Sequence, residues 1–120
     1  MSTFLYVGLG GFIGSCLRFG VGQLILGAGL LGFPWATLIV NSVGGFAIGF
    51  LSQQKWVTAD LKLLLMVGVL GGFTTFSAFG LETLTLLQEQ RMTSALVNVL
   101  LNVSLCLIAT ALGIWVSKAG

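Results

Sequence analysis

Four groups of polar or aromatic residues stand out in this otherwise apolar 120-residue chain. The densest is Gly71-Gly72-Phe73-Thr74-Thr75-Phe76-Ser77-Ala78-Phe79. Two glycines, two β-branched threonines and a serine make a poor uninterrupted helix, so a break is expected there. Irregular backbone at membrane depth is tolerated only when protein buries it or it lines a site. Freed carbonyls there would point at a cation, and freed amides at an anion. Phe76 and Phe79 lie three apart and share a helix face; aromatics so spaced pack a core or, because a phenyl ring has a positive edge, meet an anion edge-on. Thr37 and Asn41, four apart, share another face. Asn98, Asn102, Cys106 and Thr110 follow one another at four-residue steps. Such a track reads in two ways, as interhelical hydrogen bonds or as a line of uncharged donors for a small anion. Arg18 and Glu82 are charges within or at the ends of apolar runs, read either as functional groups or as side chains snorkelling to the interface.

The elements that position these residues follow from composition. The chain is 57% hydrophobic and only 7% charged, against about 25% charged residues in soluble domains. Eight charged side chains cannot cover a folded surface of this size, so a water-soluble monomer is excluded. A disordered tail, a nucleic-acid binder and a disulfide scaffold are excluded with it. With no histidine and three acids, Asp60, Glu82 and Glu89, a transition-metal site or hydrolytic triad has too few ligands, and no nucleophile–base pair suggests an enzyme.

Uncharged runs cover Met1–Leu17, Phe19–Gln54, Leu63–Leu81 and Met92–Ser117. A spanning helix needs about 20 mostly apolar residues. The second run is too long for one, and Gly27, Gly29, Gly32 and Pro34 mark a turn inside it. The pattern predicts an all-α integral membrane domain over residues 1–120, with helices near 3–26, 35–53, 61–89 and 94–117. The third is expected to break near mid-membrane. Trp35, Trp56 and Trp115 fall at predicted ends, where an amphipathic ring reaches both phases. No signal peptide is expected, because the first run lacks a basic leader and a small-residue cleavage site. Cys16 and Cys106 read as small packing residues.

Glycines at spacing four, Gly10/Gly14, Gly45/Gly49 and Gly68/Gly72, predict stripes along which helices approach closely. Four crossings put Lys55, Lys62 and Lys118 on one side, and Arg91 with Arg18 on the other. Because Lys and Arg in short loops set orientation, so weak a bias predicts insertion both ways round and an antiparallel pair.

At this level of detail the chain resembles the small bacterial fluoride channels, the Fluc or CrcB family. Three segments carry the resemblance. Gly10-Gly11-Phe12-Ile13-Gly14-Ser15-Cys16-Leu17-Arg18-Phe19 is similar to the family's Gly-Gly-x-x-Gly-Ala-x-x-Arg-aromatic pattern. Thr37 through Phe46 supplies the expected Asn41 and Gly44-Gly45. Gly68-x-x-Gly71-Gly72-Phe73-Thr74-Thr75-Phe76-Ser77-Ala78-Phe79 is similar to Gly-Gly-x-Thr-Thr-Phe-Ser-Thr-Phe and is the most specific of the three. Length, four-helix layout and charge balance agree along the whole chain.

The resemblance implies a dual-topology, antiparallel homodimer in the bacterial inner membrane, with two fluoride pores built by both copies. It implies passive fluoride export that lowers the cytoplasmic concentration. Asn41 would donate to the ion, and Phe76 and Phe79 would meet it with ring edges. Thr37 and Arg18 would face the aqueous vestibule, Ser77 would lie on the pathway, and Asn98, Asn102 and Thr110 would carry the ion past the rings. A structural Na+ would sit at the dimer centre on the backbone carbonyls of Gly71 and Thr74. The chain departs from the pattern at Ser15, where the family has Ala, and at Ala78, where it has Thr.

Two other functions compete on the residues alone. A transporter of the small multidrug-resistance type is also a dual-topology four-helix dimer, but it depends on a glutamate in the first helix, where this chain has Arg18 and no acid. A non-conducting packing subunit of a larger complex is the third reading; the polar track on the fourth helix and the expected break in the third speak against it.

Overall fold

A computed structural model of the chain describes residues 2–119 and contains four helices long and apolar enough to cross a membrane. They span Ser2–Gly27, Trp35–Ser52, Ala59–Gln88 and Met92–Ala119. The chain turns between the first two through Gly29 and Gly32, whose φ values of 75° and 93° lie where a side chain is strained. The third span starts at Ala59 rather than near 61, because Thr58 caps it by accepting from the Leu61 amide at 3.3 Å. The fourth starts at Met92 rather than near 94, after a tight turn with Gln90 at φ 63°.

The third span is not uniform. After Ala59–Leu61, the segment Lys62–Leu70 is wound as a π-helix, and a short α-turn follows over Gly71–Phe73. Thr74 is then extended, with φ −86° and ψ 160°, and α-helix resumes over Ser77–Gln88. Residues 74–76 therefore lie outside helix, at the middle of a 30-residue span.

The helices pack as two pairs. The second and fourth lie along each other, and the first lies along 59–73. Glycines set both approaches. A methyl group on Gly10 would sit 2.8 Å from the Gly68 Cα, and one on Gly72 would meet the Gly11 carbonyl at 2.7 Å. In the other pair, Gly45 faces Thr110 and Cys106, Gly49 faces the Thr110 backbone, and Gly113 faces the Phe46 carbonyl. The Gln54 amide donates to the Ser117 hydroxyl, tying the end of the second helix to the fourth.

The inside is small and the outside is apolar. Leu38, Val40, Val57, Leu86 and Ala95 are the buried hydrophobic residues, whereas Phe4, Phe12, Leu24, Leu81 and Trp115 are all exposed. Exposed apolar area on this scale marks a surface that faces lipid or another protein. Trp35, Trp56 and Trp115 are exposed at or beside helix ends. The longest dimension, 47 Å, compares with about 40–45 Å for a bilayer including its headgroups. The chain is a multi-pass membrane protein.

Candidate functional site

Asn41 is the residue that organises the interruption. Its Oδ1 accepts from the Thr75 amide at 2.8 Å, and its Nδ2 donates to the Thr75 carbonyl at 3.0 Å. One side-chain amide thus pairs with both backbone polar groups of a non-helical residue, which would otherwise be stranded in an apolar interior. Nδ2 donates a second time, to Oδ1 of Asn102 on the fourth helix, at 3.1 Å.

The two helix ends at the interruption have their own partners. Arg18 Nε donates to the Gly72 carbonyl at 3.0 Å. A cation at the C-terminal end of 59–73 offsets the negative end of its dipole. The Thr75 hydroxyl accepts from the Ala78 amide at 3.2 Å and so caps the helix Ser77–Gln88. That cap directs the positive end of a 12-residue helix towards the interruption.

A cavity of about 470 Å³ opens beside this arrangement. Asn41, Thr75, Phe76, Phe79, Asn102 and Thr110 all border it, and none of its lining residues among those described is charged. The rings of Phe76 and Phe79 lie 5.5 Å apart between centroids and are tilted by 41°, with Phe76 82% exposed. The wall is uncharged and mostly apolar, with a few amides and hydroxyls beside two phenyl rings, so it holds no fixed charge to trap an ion.

Asn98 and Ser77 lie off this wall. Asn98 is fully buried and not on the cavity wall; its Nδ2 donates to the Thr83 hydroxyl at 3.0 Å. Ser77 is exposed and outside the wall, with its hydroxyl 3.4 Å from that of Thr75. The Thr110 hydroxyl donates to the Cys106 carbonyl at 2.8 Å. Cys106 also borders the cavity, whereas Cys16 is exposed on the first helix.

Arg18 and Thr37 meet in a second cavity of about 430 Å³, together with Gln23, Trp35, Thr75 and Glu82. Thr75 borders both cavities. Glu82 Oε1 is buried without a partner among the described residues, with the Thr37 side chain beside the carboxyl group. Its position on this second wall was missed in the sequence, because spacing alone does not reveal how a helix is rotated towards its neighbours.

The residues expected to hold a metal can be tested on their backbone bonds. In a continuous helix the Thr75 amide would go to the Gly71 carbonyl and the Ala78 amide to the Thr74 carbonyl. Here the Thr75 amide goes to Asn41 and the Ala78 amide to the Thr75 hydroxyl. Both carbonyls have therefore lost their helical partners, and both residues border the first cavity. Two neutral oxygens of this kind fit a hard cation as part of a larger ligand set. Among the described residues no cluster of His, Cys, Asp or Glu could hold a metal ion.

Comparison with known proteins gives a consistent result. A profile of the family described as "CrcB-like protein, Camphor Resistance (CrcB)" matches residues 5–114. A protein of Elusimicrobium minutum named "Fluoride-specific ion channel FluC" is 48% identical over 119 residues, covering 98% of this chain and 95% of its own length. A protein of Aeromonas salmonicida with the same name is 48% identical over 94% of each chain. One of Thermus thermophilus, again so named, is 50% identical over 99 residues, 80% of this chain and 79% of its own.

Proposed function

We propose, from the premise that the chain belongs to the CrcB-like family, that it is a fluoride-selective channel through which the ion moves passively. The observation that carries this reading is the uncharged cavity wall, where Asn41 and two phenyl rings meet at an interruption in a membrane span. Fluoride is small and tightly hydrated, so its water must be replaced by close donors. A fixed positive charge at the narrowest point would hold the ion too firmly to release it, whereas amide protons, hydroxyls and ring edges bind in small steps. The small multidrug-resistance alternative lacks its essential residue, since the first helix carries no acid. The relatives' names also point away from it.

Asn41 donates to the ion, while Phe76 and Phe79 present their ring edges. Thr37 and Arg18 belong to the vestibule, where a charge concentrates anions without sitting in the narrow path. Asn102 and Thr110 belong to the pathway wall, whereas Asn98 supports Asn102 from behind and Ser77 lies outside the wall. The helix end beside Thr75 adds positive potential where the ion must shed water.

One copy forms an open cavity rather than an enclosed pore. The working unit is therefore an antiparallel homodimer, with each copy lining a share of each of two pores. The apolar surface and near-balanced charges suit insertion in both orientations. The Gly71 and Thr74 carbonyls are the groups that would hold a structural Na+, which would supply a fixed positive charge beside the interruption. In the bacterial inner membrane, an interior-negative potential drives fluoride outwards through such a channel.

The test is efflux from liposomes containing the purified protein, followed with fluoride- and chloride-selective electrodes. Fluoride should leave while chloride stays. Equal loss of both ions, or of neither, would refute the assignment.

A further inference from the structure

The chain has three asparagines, Asn41, Asn98 and Asn102, and the structure links all three in one line of hydrogen bonds. The Thr83 hydroxyl donates to the Phe79 carbonyl at 2.7 Å and accepts from Asn98 Nδ2 at 3.0 Å. Asn98 accepts in turn from Asn102 Nδ2, through its backbone carbonyl at 2.9 Å and its Oδ1 at 3.0 Å. Asn102 Oδ1 then accepts from Asn41 Nδ2 at 3.1 Å. Every link donates in the same direction along the line.

This arrangement alters the part Asn102 plays. Both Nδ2 protons of Asn102 point along the fourth helix to Asn98, away from Asn41. What Asn102 offers to its neighbour is an acceptor oxygen. Asn41 has two Nδ2 protons, and both have partners, Thr75 O and Asn102 Oδ1. An anion that takes a proton from Asn41 must displace one of them. The Thr75 link is held at two points, because Asn41 also accepts from the Thr75 amide. The Asn102 link is held at one point, and both residues border the cavity.

We propose that Asn102 is a positioning residue whose side-chain oxygen competes with fluoride for one Asn41 amide proton and so sets how tightly the channel holds the ion. When the ion takes that proton, Asn102 Oδ1 loses its donor, and this loss offsets part of the gain at the ion. Asn98, buried behind Asn102, holds the Asn102 amide at two points and so keeps its oxygen in place to retake the proton as the ion leaves. The competition keeps the site shallow, as conduction requires. This inference rests on the fluoride-channel reading and makes Asn102 an acceptor that acts through Asn41 instead of a donor to the ion.

The test compares fluoride flux against fluoride concentration for wild type, Asn102→Ala and Thr83→Val in liposomes. Removing the competitor should lower the half-saturating fluoride concentration about 3- to 10-fold, the value of one net hydrogen bond, and slow maximal flux. Thr83→Val cuts the far end of the same line and perturbs packing, but it should leave half-saturation where it was. An unchanged or raised half-saturation in Asn102→Ala, or the same shift in both variants, overturns the proposal. A wild type that passes no fluoride overturns the channel reading itself, and this inference falls with it. Should Asn102→Ala fail to fold, the wild type decides. With ¹⁵N-labelled asparagine, adding sodium fluoride should shift the side-chain amide resonances of Asn41 and Asn102 together, and a stationary Asn102 resonance refutes the competition.

Discussion

Replacing Asn41 by aspartate is the sharpest perturbation of the proposed pathway, because it changes charge with almost no change in shape. An aspartate oxygen can still accept from the Thr75 amide, as Asn41 Oδ1 does at 2.8 Å. The donations to Thr75 O and Asn102 Oδ1 are lost. Leaving those two acceptors unsatisfied costs about 2–6 kcal/mol, so the fold of the variant is checked beside its flux. The effect on the ion is electrostatic. Two like charges about 4 Å apart repel by about 4 kcal/mol at an effective dielectric constant near 20. At 1.4 kcal/mol per tenfold, fluoride flux should fall by about a thousandfold. The assay is fluoride-electrode efflux from liposomes at matched protein density, with size-exclusion chromatography and circular dichroism as checks on the fold. A folded Asn41→Asp protein passing fluoride within threefold of wild type would contradict the placing of Asn41 against the ion.

Other perturbations probe the remaining parts. Phe76→Ala and Phe79→Ala should each lower fluoride flux by about tenfold, on the scale of about 0.5–1.5 kcal/mol for an aromatic edge contact, without loss of assembly on size exclusion; unchanged flux in both variants would remove the ring-edge role. Gly14→Ala places a methyl group against the Val69 carbonyl and 2.8 Å from the Phe73 amide nitrogen, whereas Gly20→Ala meets nothing within 4 Å. Thermal unfolding in detergent should therefore show a loss of about 1–3 kcal/mol for the first and none for the second; equal melting would dissociate the glycine stripe from packing. Exhaustive replacement of Na+ by N-methylglucamine should abolish flux and loosen the dimer, with recovery when Na+ is restored. Full flux without Na+ would remove the ion from the Gly71 and Thr74 carbonyls.

Much of this architecture is legible in the sequence because membrane proteins have few structural options. Gly10 and Gly14 stand four apart, as do Gly68 and Gly72, and where the first and third spans meet Gly10 faces Gly68, Gly14 faces the Val69 and Phe73 backbone, and Gly72 faces Gly11. The pattern is readable because only a residue without a Cβ permits that approach. Turn residues between Gly27 and Pro34 likewise marked the boundary of the first two spans, since a continuous helix could not accommodate them. The start of the third span was also readable: Thr58 followed by Asp60 is a helix-start signal, and giving it full weight moves the boundary to Ala59.

What the sequence leaves hidden depends on rotation of each helix about its axis and on which partner takes each proton. The four-residue spacing of Asn98, Asn102, Cys106 and Thr110 aligns them on one face but does not reveal that Asn98 is fully buried against Thr83 while Cys106 borders a cavity. Nor does it reveal that the Asn102 amide points to Asn98 while its oxygen points to Asn41. The π-helical winding of Lys62–Leu70 has no signal in an apolar run whose side chains suit any helix. The segment lies against the first helix, a contact between distant parts of the chain that local sequence does not encode.

The central claim is selectivity arising from an uncharged wall. Its most direct measurement is the reversal potential of purified protein in a planar bilayer, with a fluoride gradient across the membrane and equal, high chloride on both sides. The account predicts a reversal potential at the fluoride equilibrium value, insensitive to added chloride. A potential that moves towards zero as chloride is raised would contradict it.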